Sequence, residues 1–298
     1  MNERKHTRWT EFAIEALIRM IGFSSIGFVL LIFLFLLREG IPVFFEVPLA
    51  NLFSTRWYPT FGLFGMLPLI LGSILITVTT TAIALPLGVA TAVFVREVAP
   101  SWAREVLKPM IEVLAGIPSV VLGFFGMTLV APFIRETLGA PTGLTTFTGA
   151  LILAYMALPT IISVAEDALD AVPRSYRDAG LAMGATQWQT IWRVVVPAAR
   201  SGIVTAVMLG IGRAIGETMA VMMVTGNAAR MPLSIDSLFR PVRTMTATVA
   251  AEMGEVAYGS THYHALFGIG MILFLVTLTV NLAAAVTIFE KRRRGGLR

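Results

Sequence analysis

The sequence predicts an all-α integral membrane protein with six transmembrane helices. Of its 298 residues, 56% are hydrophobic and 14% are charged, whereas a soluble domain carries roughly 25% charged residues. Several apolar runs reach the roughly 20 residues that cross a bilayer as a helix, and the sequence lacks the alternating strands of a membrane β-barrel. With no cysteine and three scattered histidines, neither a disulfide framework nor a metal site is expected.

Six apolar runs give the expected spans in chain order. They cover residues 20–37, 63–95, 109–134, 148–165, 202–226 and 265–289. Pro86, Pro118 and Pro132 fall inside spans, where a proline removes a backbone hydrogen bond and kinks or interrupts the helix. The chain therefore divides into an N-terminal segment 1–19, a six-helix domain 20–289 and a basic tail 290–298.

The distribution of basic residues sets the expected orientation. Sixteen Lys and Arg residues fall in segments on the same side of the membrane as the termini, and six fall on the other side. Because cytoplasmic segments carry the excess of Lys and Arg, both termini are expected in the cytoplasm. The net charge of +5 follows from this topology, and no nucleic-acid partner is expected.

Two charged residues lie deep inside a span, in the stretch LGIGRAIGETMAV. Arg213 is roughly 16 to 20 Å from either end of the fifth expected span, where a charge costs on the order of 3 kcal/mol. Glu217 follows four residues later, so both side chains share one face if the helix is continuous. A mutual salt bridge is one explanation for the pair, although an apolar pair would cost less.

Small residues surround Arg213 on a helical wheel, namely Ala206, Gly210, Gly216 and Ala220. They allow close helix packing, as does the GxxxG pair Gly212 and Gly216, but they equally leave room for a substrate. A guanidinium group presents a planar fork of donors that suits phosphate, carboxylate or sulfate. The carboxylate of Glu217 can accept a hydrogen bond from monohydrogen phosphate, which mildly favours phosphate over sulfate.

Hydroxyl groups supply a second possible lining. Thr79 lies in the run TVTTT of the second span, and Ser119 directly follows Pro118 in the third. Threonines inside helices commonly bond to carbonyls of their own helix, so Thr79 has a structural explanation as well as a functional one. Ser119 stands at an expected helix break, where backbone donors are exposed around binding sites.

A polar stretch, 169–199, joins the fourth and fifth spans and has its own helical signals. Asp170 is placed to cap a first short helix, and Gly184 to end it. Thr186 and Gln189 form a T-x-x-Q capping box for a second short helix. Two short helices beneath a bundle predict a docking element.

The loop 227–264, on the side away from the termini, is too long for a simple connector. Its portion 243–257 predicts an amphipathic helix that caps the bundle or receives a soluble partner. In the preceding loop on that side, Phe53, Trp57 and Tyr58 are expected to be interfacial aromatic residues.

The stretch RDAGLAMGATQWQTIWRVVVP resembles the coupling loop of the membrane permeases of bacterial ATP-driven importers. Asp178, Ala179 and Gly180 occupy its E-A-A positions, and Gly184 is its downstream glycine. The stretches AGIPSVVLGFFG, GRAIGETMAVMMVTGN and RTMTATVAAEMGEVAYGSTHYHALF resemble the phosphate-specific permeases of the PstC kind, and GETMAV favours that half over its paralogue, the PstA kind.

This resemblance implies a type I importer permease of MetI-like architecture in the bacterial inner membrane, which moves inorganic phosphate by alternating access. It implies a PstA-like second permease, a PstB-like ATPase dimer docked at the coupling loop, and an extracytoplasmic PstS-like phosphate-binding protein. No P-loop motif occurs here, so ATP and Mg²⁺ are expected in the ATPase chain and no cofactor in this one. Arg213 is expected to contact the anion, with Glu217 as its electrostatic partner.

Three alternatives stay open at this point. The same importer architecture can carry sulfate, molybdate or phosphonate. An ion-coupled secondary transporter would use Glu217 to carry a proton, but it has no need of a coupling loop. An intramembrane enzyme is disfavoured because the spans contain no Ser-Lys, paired-Asp or histidine-rich metal constellation.

Overall fold

The computed structural model of the chain describes residues 3–139 and 142–295, with side chains described for Phe12 and for residues 14–137 and 142–282. In chain order its elements are α1 (Glu3–Gly40), α2 (Val43–Glu46), α3 (Leu49–Leu52), β1 (Trp57–Tyr58), β2 (Leu63–Phe64), α4 (Leu67–Val93), α5 (Ser101–Ala115), α6 (Ser119–Phe125), α7 (Ala131–Leu138), α8 (Thr146–Asp170), α9 (Arg174–Ala182), α10 (Gln187–Thr190), α11 (Val196–Gly216), α12 (Met219–Val224), α13 (Met245–Glu252) and α14 (Thr261–Gly295). Single π-helical turns extend α4 (Phe94–Val98), join α6 to α7 (Gly126–Val130) and join α10 to α11 (Ile191–Val195).

Within these residues, six helical segments are long and apolar enough to cross a membrane, as the sequence predicted. The first expected span lies in α1, which already begins at Glu3, inside the segment 1–19. The second begins at Leu67 because Leu63 and Phe64 form β2, paired antiparallel with β1. In the basic tail 290–298, residues 296–298 and all the side chains lie outside the described part.

The third expected span, 109–134, was wrong at its start. Residues 101–115 form α5, a separate helix with one apolar and one polar face, and the third span begins only at Ser119. Gly116 and Pro118 separate the two helices, because Pro118 has no N–H to continue the ladder and disfavours a helical conformation in the residue before it.

The fifth expected span, 202–226, was wrong in its continuity. Helix α11 ends at Gly216, Glu217 adopts an extended conformation (φ −72°, ψ 131°), and α12 starts at Met219. The wheel that placed Glu217 and Ala220 on the face of Arg213 therefore does not apply beyond Gly216.

Helix α8 is the centre of the bundle. It is the most buried of the six spans and packs along α4 and α11. Glycines permit this approach, since a Cβ on Gly210 would stand 2.6 Å from Ile161 Cγ1, and a Cβ on Gly88 would stand equally close to Ile161 Cγ2. Helix α1 packs on α14 at the periphery and exposes large apolar side chains, as a lipid-facing helix does.

The stretch 169–199 differs from its expected form in two ways. Asp170 is the last residue of α8 and does not cap α9, which starts after Pro173 without a side-chain cap. The capping box of Thr186 and Gln189 is confirmed, but the helix it starts runs through α10 and a π-helical turn directly into α11. Within the stretch 169–199, all of which the structure describes, α9 is thus the one free-standing short helix, and its end of the bundle is called the coupling end below.

The opposite end is closed by a packed cap. Residues 245–252 form α13, shorter than the expected amphipathic helix, and its Met245 and Ala247 are buried in the bundle. Trp57 is 2% exposed and donates Nε1–H to the Glu252 carboxylate at 3.2 Å, so its expected interfacial position was wrong. Phe53 and Tyr58 are exposed.

Candidate functional site

Arg213 lies in the last turn of α11, against the middle of α8. Its Nη1 donates to Oγ1 of Thr160 at 3.4 Å. Thr160 is about 21 Å from Thr146 and about 15 Å from Asp170 along α8, so the guanidinium group lies near mid-membrane depth. Among the residues with described side chains, no carboxylate lies within 4.0 Å of Arg213. The arginine therefore has a neutral partner and unused donors.

The small residues of α11 have two distinct environments. Ala206, Gly210 and Ala214 are buried against the bundle, which confirms close packing on that face. A Cβ added to Gly212 or Gly216 would meet no described atom within 4 Å. The GxxxG pair thus leaves an open face beside Arg213.

Glu217 stabilises the break in the fifth span. Its Oε1 accepts hydrogen bonds from the backbone N–H groups of Met219 at 3.1 Å and Ala220 at 3.2 Å. Its backbone carbonyl accepts from Thr246 Oγ1 at 3.1 Å, which connects the break to α13. The carboxylate thus occupies the N-terminus of α12, where unpaired N–H groups attract an anion.

Two half-helices, α6 and α12, lie side by side and run in the same direction. A Cβ on Gly123 would lie 2.9 Å from Ala220 Cα, and one turn further along, a Cβ on Gly126 would lie 2.8 Å from Val224 Cγ1. The breaks at Pro118 and Glu217 therefore open towards the same end of the bundle. The break at Glu217 places the N-terminus of α12 inside the fifth expected span, an arrangement typical of sites for anionic substrates.

The two hydroxyl residues selected from the sequence differ in the structure. Ser119 is the first residue of α6, is partly buried, and makes no side-chain hydrogen bond with a described residue. Thr79 Oγ1 donates to the carbonyl of Leu75 at 2.8 Å, the common pattern for threonine in a helix. The Thr79 hydroxyl can therefore act toward a substrate only as a hydrogen-bond acceptor.

Two threonines on the neighbouring helices α4 and α8 were not predicted from the sequence. Thr160 contacts Arg213, and Thr80 is 1% exposed with no hydrogen-bond partner for its hydroxyl. Thr80 borders a small gap beside Gly210 and Ala157, one turn from Arg213 along α11. Pro159 was an available signal for Thr160, because a proline inside a span frees a carbonyl and often marks a functional position.

The cavity between α4, α11 and α14 is not an oxyanion site. It has a volume of about 470 Å³ and a nearly entirely apolar wall. The hydroxyls of Thr77 and Thr81 in its wall donate to carbonyls of α4.

The residues of the coupling motif lie on and directly after α9. Asp178 and Ala179 are exposed. Gly180 packs closely against Thr190, because a Cβ added to this glycine would lie 2.9 Å from Thr190 Cγ2. Gly184 has φ +81°, a left-handed conformation that favours glycine after a helix. The motif thus combines an exposed helix face with two glycines that the local geometry requires.

Residues 84–295 match the family described as binding-protein-dependent transport system inner membrane component. The chain is 43% identical to the probable ABC transporter permease protein YqgH of Bacillus subtilis, over 77% of this chain and 74% of that protein. It is 37% identical to the phosphate transport system permease protein PstC of Mesorhizobium japonicum, over 82% of this chain and 79% of that protein.

The fold is similar to that of a solved structure described as inward facing conformations of the MetNI methionine ABC transporter. The TM-score is 0.58 at 18% identity, covering 74% of this chain and 93% of that one. Sequence and fold agree, and the chain belongs to the family of inner membrane components of binding-protein-dependent transport systems.

Proposed function

We propose that the chain is the PstC-like permease subunit of an ATP-driven importer and forms part of the translocation pathway for inorganic phosphate. The observation that carries the proposal is Arg213, held near mid-membrane depth with a neutral hydroxyl partner and free donors. A charge at this depth is costly and marks a substrate or ion pathway. Relatives named as phosphate transport permeases support phosphate as the cargo.

Arg213 is proposed as the principal anion contact. A guanidinium group donates two parallel hydrogen bonds to a tetrahedral oxyanion, and Thr160 orients the group from one side. Ser119 is proposed to donate a hydroxyl from the start of α6. Thr79, whose proton is used within α4, is proposed to accept from the protonated oxygen of phosphate.

Glu217 is proposed to act on phosphate through its charge as well as through its cap on α12. The carboxylate lies one residue beyond the helix that carries Arg213 and opposes the positive field of the guanidinium group. This opposition keeps the site from binding an anion too tightly to release it.

The remaining subunits of the proposed importer follow from the coupling motif and from the relatives. Asp178, Ala179, Gly180 and Gly184 are proposed to form the docking site for a PstB-like ATPase dimer, which binds ATP and Mg²⁺. A PstA-like permease is proposed to complete the pathway, and a PstS-like binding protein to deliver phosphate at the capped end. Both termini are proposed to be cytoplasmic, in a bacterial inner membrane.

The test is ATP-dependent uptake of radiolabelled phosphate by the assembled importer in proteoliposomes. We expect Arg213→Ala to abolish uptake with normal assembly, and Arg213→Lys to retain only part of it because an ammonium group keeps the charge without the planar fork. Wild-type uptake by Arg213→Ala would overturn the assignment of Arg213. Competition by sulfate, molybdate and phosphonate tests the other cargoes, and uptake driven by an ion gradient without ATP would indicate a secondary transporter.

A further inference from the structure

Arg177, the residue before the coupling motif, makes more side-chain hydrogen bonds to residues outside α9 than its exposed neighbours on that helix do. Its Nε and Nη2 donate to the two carboxylate oxygens of Glu97 at 3.1 Å and 2.5 Å. Its Nη1 donates to the carbonyl of Val172 at 2.7 Å, and Nη2 also donates to that of Leu169 at 3.0 Å. One side chain on α9 thus holds the ends of two transmembrane helices.

The two helices are the ones that pack most closely in the bundle. Glu97 belongs to the π-helical turn that ends α4, and Leu169 lies in the last turn of α8. The Leu169 carbonyl accepts from the backbone N–H of Val172 at 3.3 Å, and Arg177 adds a charged donor to it. A guanidinium group suits this position, because its fork binds a carboxylate with two bonds and still reaches backbone carbonyls.

The ion pair between Arg177 and Glu97 is shielded from water. The Arg177 side chain is 19% exposed and that of Glu97 is 8% exposed. The hydrogen bond to Glu97 raises the pKa of Arg177 above its usual range. An ion pair held by two parallel hydrogen bonds in such surroundings fixes the distance and the angle between its two elements.

Three further ion pairs fasten the coupling end of α8. Arg96 pairs with Asp170. Lys108 Nζ on α5 lies 2.7 Å from Glu166 Oε2 and 3.3 Å from Asp167 Oδ1. The end of α8 is therefore fixed to α4, to α5 and, through Arg177, to α9.

We propose that Arg177 is the positioning residue that transmits movement of α9 into α4 and α8, and through Thr160 on α8 to Arg213. The exposed residues of the coupling motif receive the movement of the ATPase, and the rigid link at Arg177 passes it inward. This inference rests on the proposed function, because it assumes that an ATPase moves α9.

The experiment measures phosphate uptake and ATP hydrolysis in the same proteoliposomes, with the assembled importer and its binding protein. We expect Arg177→Met to keep ATP hydrolysis within about threefold of wild type and to lower the phosphate moved per ATP at least tenfold. The matched control is Arg174→Met, an exposed arginine one turn earlier on α9, which should leave the ratio unchanged.

An unchanged ratio in assembled Arg177→Met would overturn the inference. If that variant does not assemble, Glu97→Gln serves instead, because it keeps the shape and one acceptor oxygen of the side chain while removing the charge. We expect Glu97→Gln to lower the phosphate moved per ATP at least threefold. A wild-type ratio in this variant would again refute the link. Failure of the proposed function has a different signature, since wild-type importer would then show no ATP-dependent phosphate uptake.

Discussion

Substitution of Glu217 separates its structural contribution from its charge. The carboxylate caps α12 through the backbone N–H groups of Met219 and Ala220 and also places a negative charge near Arg213. Glu217→Gln keeps an oxygen that can accept from the same two N–H groups but removes the charge. Glu217→Ala removes both.

The expected effects on stability follow from the two hydrogen bonds. Loss of a helix cap costs about 0.5–2 kcal/mol, and a membrane interior supplies little water to replace it, so we expect Glu217→Ala to lose about 2 kcal/mol. Glu217→Gln keeps both hydrogen bonds and loses the attraction between the charge and the helix dipole, about 0.3–1 kcal/mol. The melting temperature should therefore fall by several degrees for the alanine variant and by much less for the glutamine variant.

The expected effect on transport follows from the charge. The negative charge of Glu217 opposes a bound phosphate, and two unit charges about 4 Å apart would repel by about 4 kcal/mol at an effective dielectric constant of about 20. Removal of this repulsion by Glu217→Gln strengthens the binding of phosphate at Arg213 about tenfold for each 1.4 kcal/mol. Release then limits the cycle, and we expect maximal uptake by Glu217→Gln to fall at least tenfold.

Thermal unfolding of the purified importer in detergent and phosphate uptake in proteoliposomes measure the two effects separately. Glu217→Gln with wild-type stability and wild-type uptake would show that the carboxylate is only a helix cap. Equal destabilisation of the glutamine and alanine variants would contradict the retained hydrogen bonds.

Three other substitutions test the packing and the ion pairs by thermal unfolding of the same complex. Gly123→Ala should destabilise the complex by about 1–3 kcal/mol, because the added Cβ would lie 2.9 Å from the α12 backbone. The control Gly212→Ala, on an open face, should leave the stability unchanged. Equal effects of the two substitutions would contradict the packing of α6 against α12. Hydrogen bonding to Glu166 raises the pKa of Lys108. The contribution of this ion pair to stability is therefore complete below the ordinary lysine pKa of about 10.4 and is lost only at more alkaline pH. The destabilisation by Lys108→Met should be constant from pH 6 to 9, and a change within that window would refute this. Glu252→Gln weakens the contacts of this carboxylate with Trp57, His262 and Arg243 and should lower the stability by about 1–3 kcal/mol. Glu255→Gln, at an exposed position, should not lower it. Equal stability of the two variants would refute the stabilising role of Glu252 in the cap.

Sequence patterns predicted the number of spans and the capping box at Thr186, because both depend on local composition and spacing. They misplaced the start of the third span, since the apolar face of α5 continues the hydropathy of the residues after it. The break at Glu217 was not predicted, because the sequence pattern does not show the hydrogen bond from Thr246, 29 residues away, that helps to hold it. The same holds for the contact between Arg213 and Thr160, which are 53 residues apart.

The geometry around Arg213 gives the proposed second permease a physical role at the site. A bound oxyanion carries several acceptor oxygens, whereas the described side chains in contact with Arg213 add only the hydroxyl of Thr160 to the donors of the guanidinium group. The face of α11 at Gly212 and Gly216 is open, and small residues of this kind allow another helix to approach closely. A second subunit packed there would exclude lipid from the guanidinium group and supply the missing donors. The importer would then need both permeases to bind phosphate as well as to move.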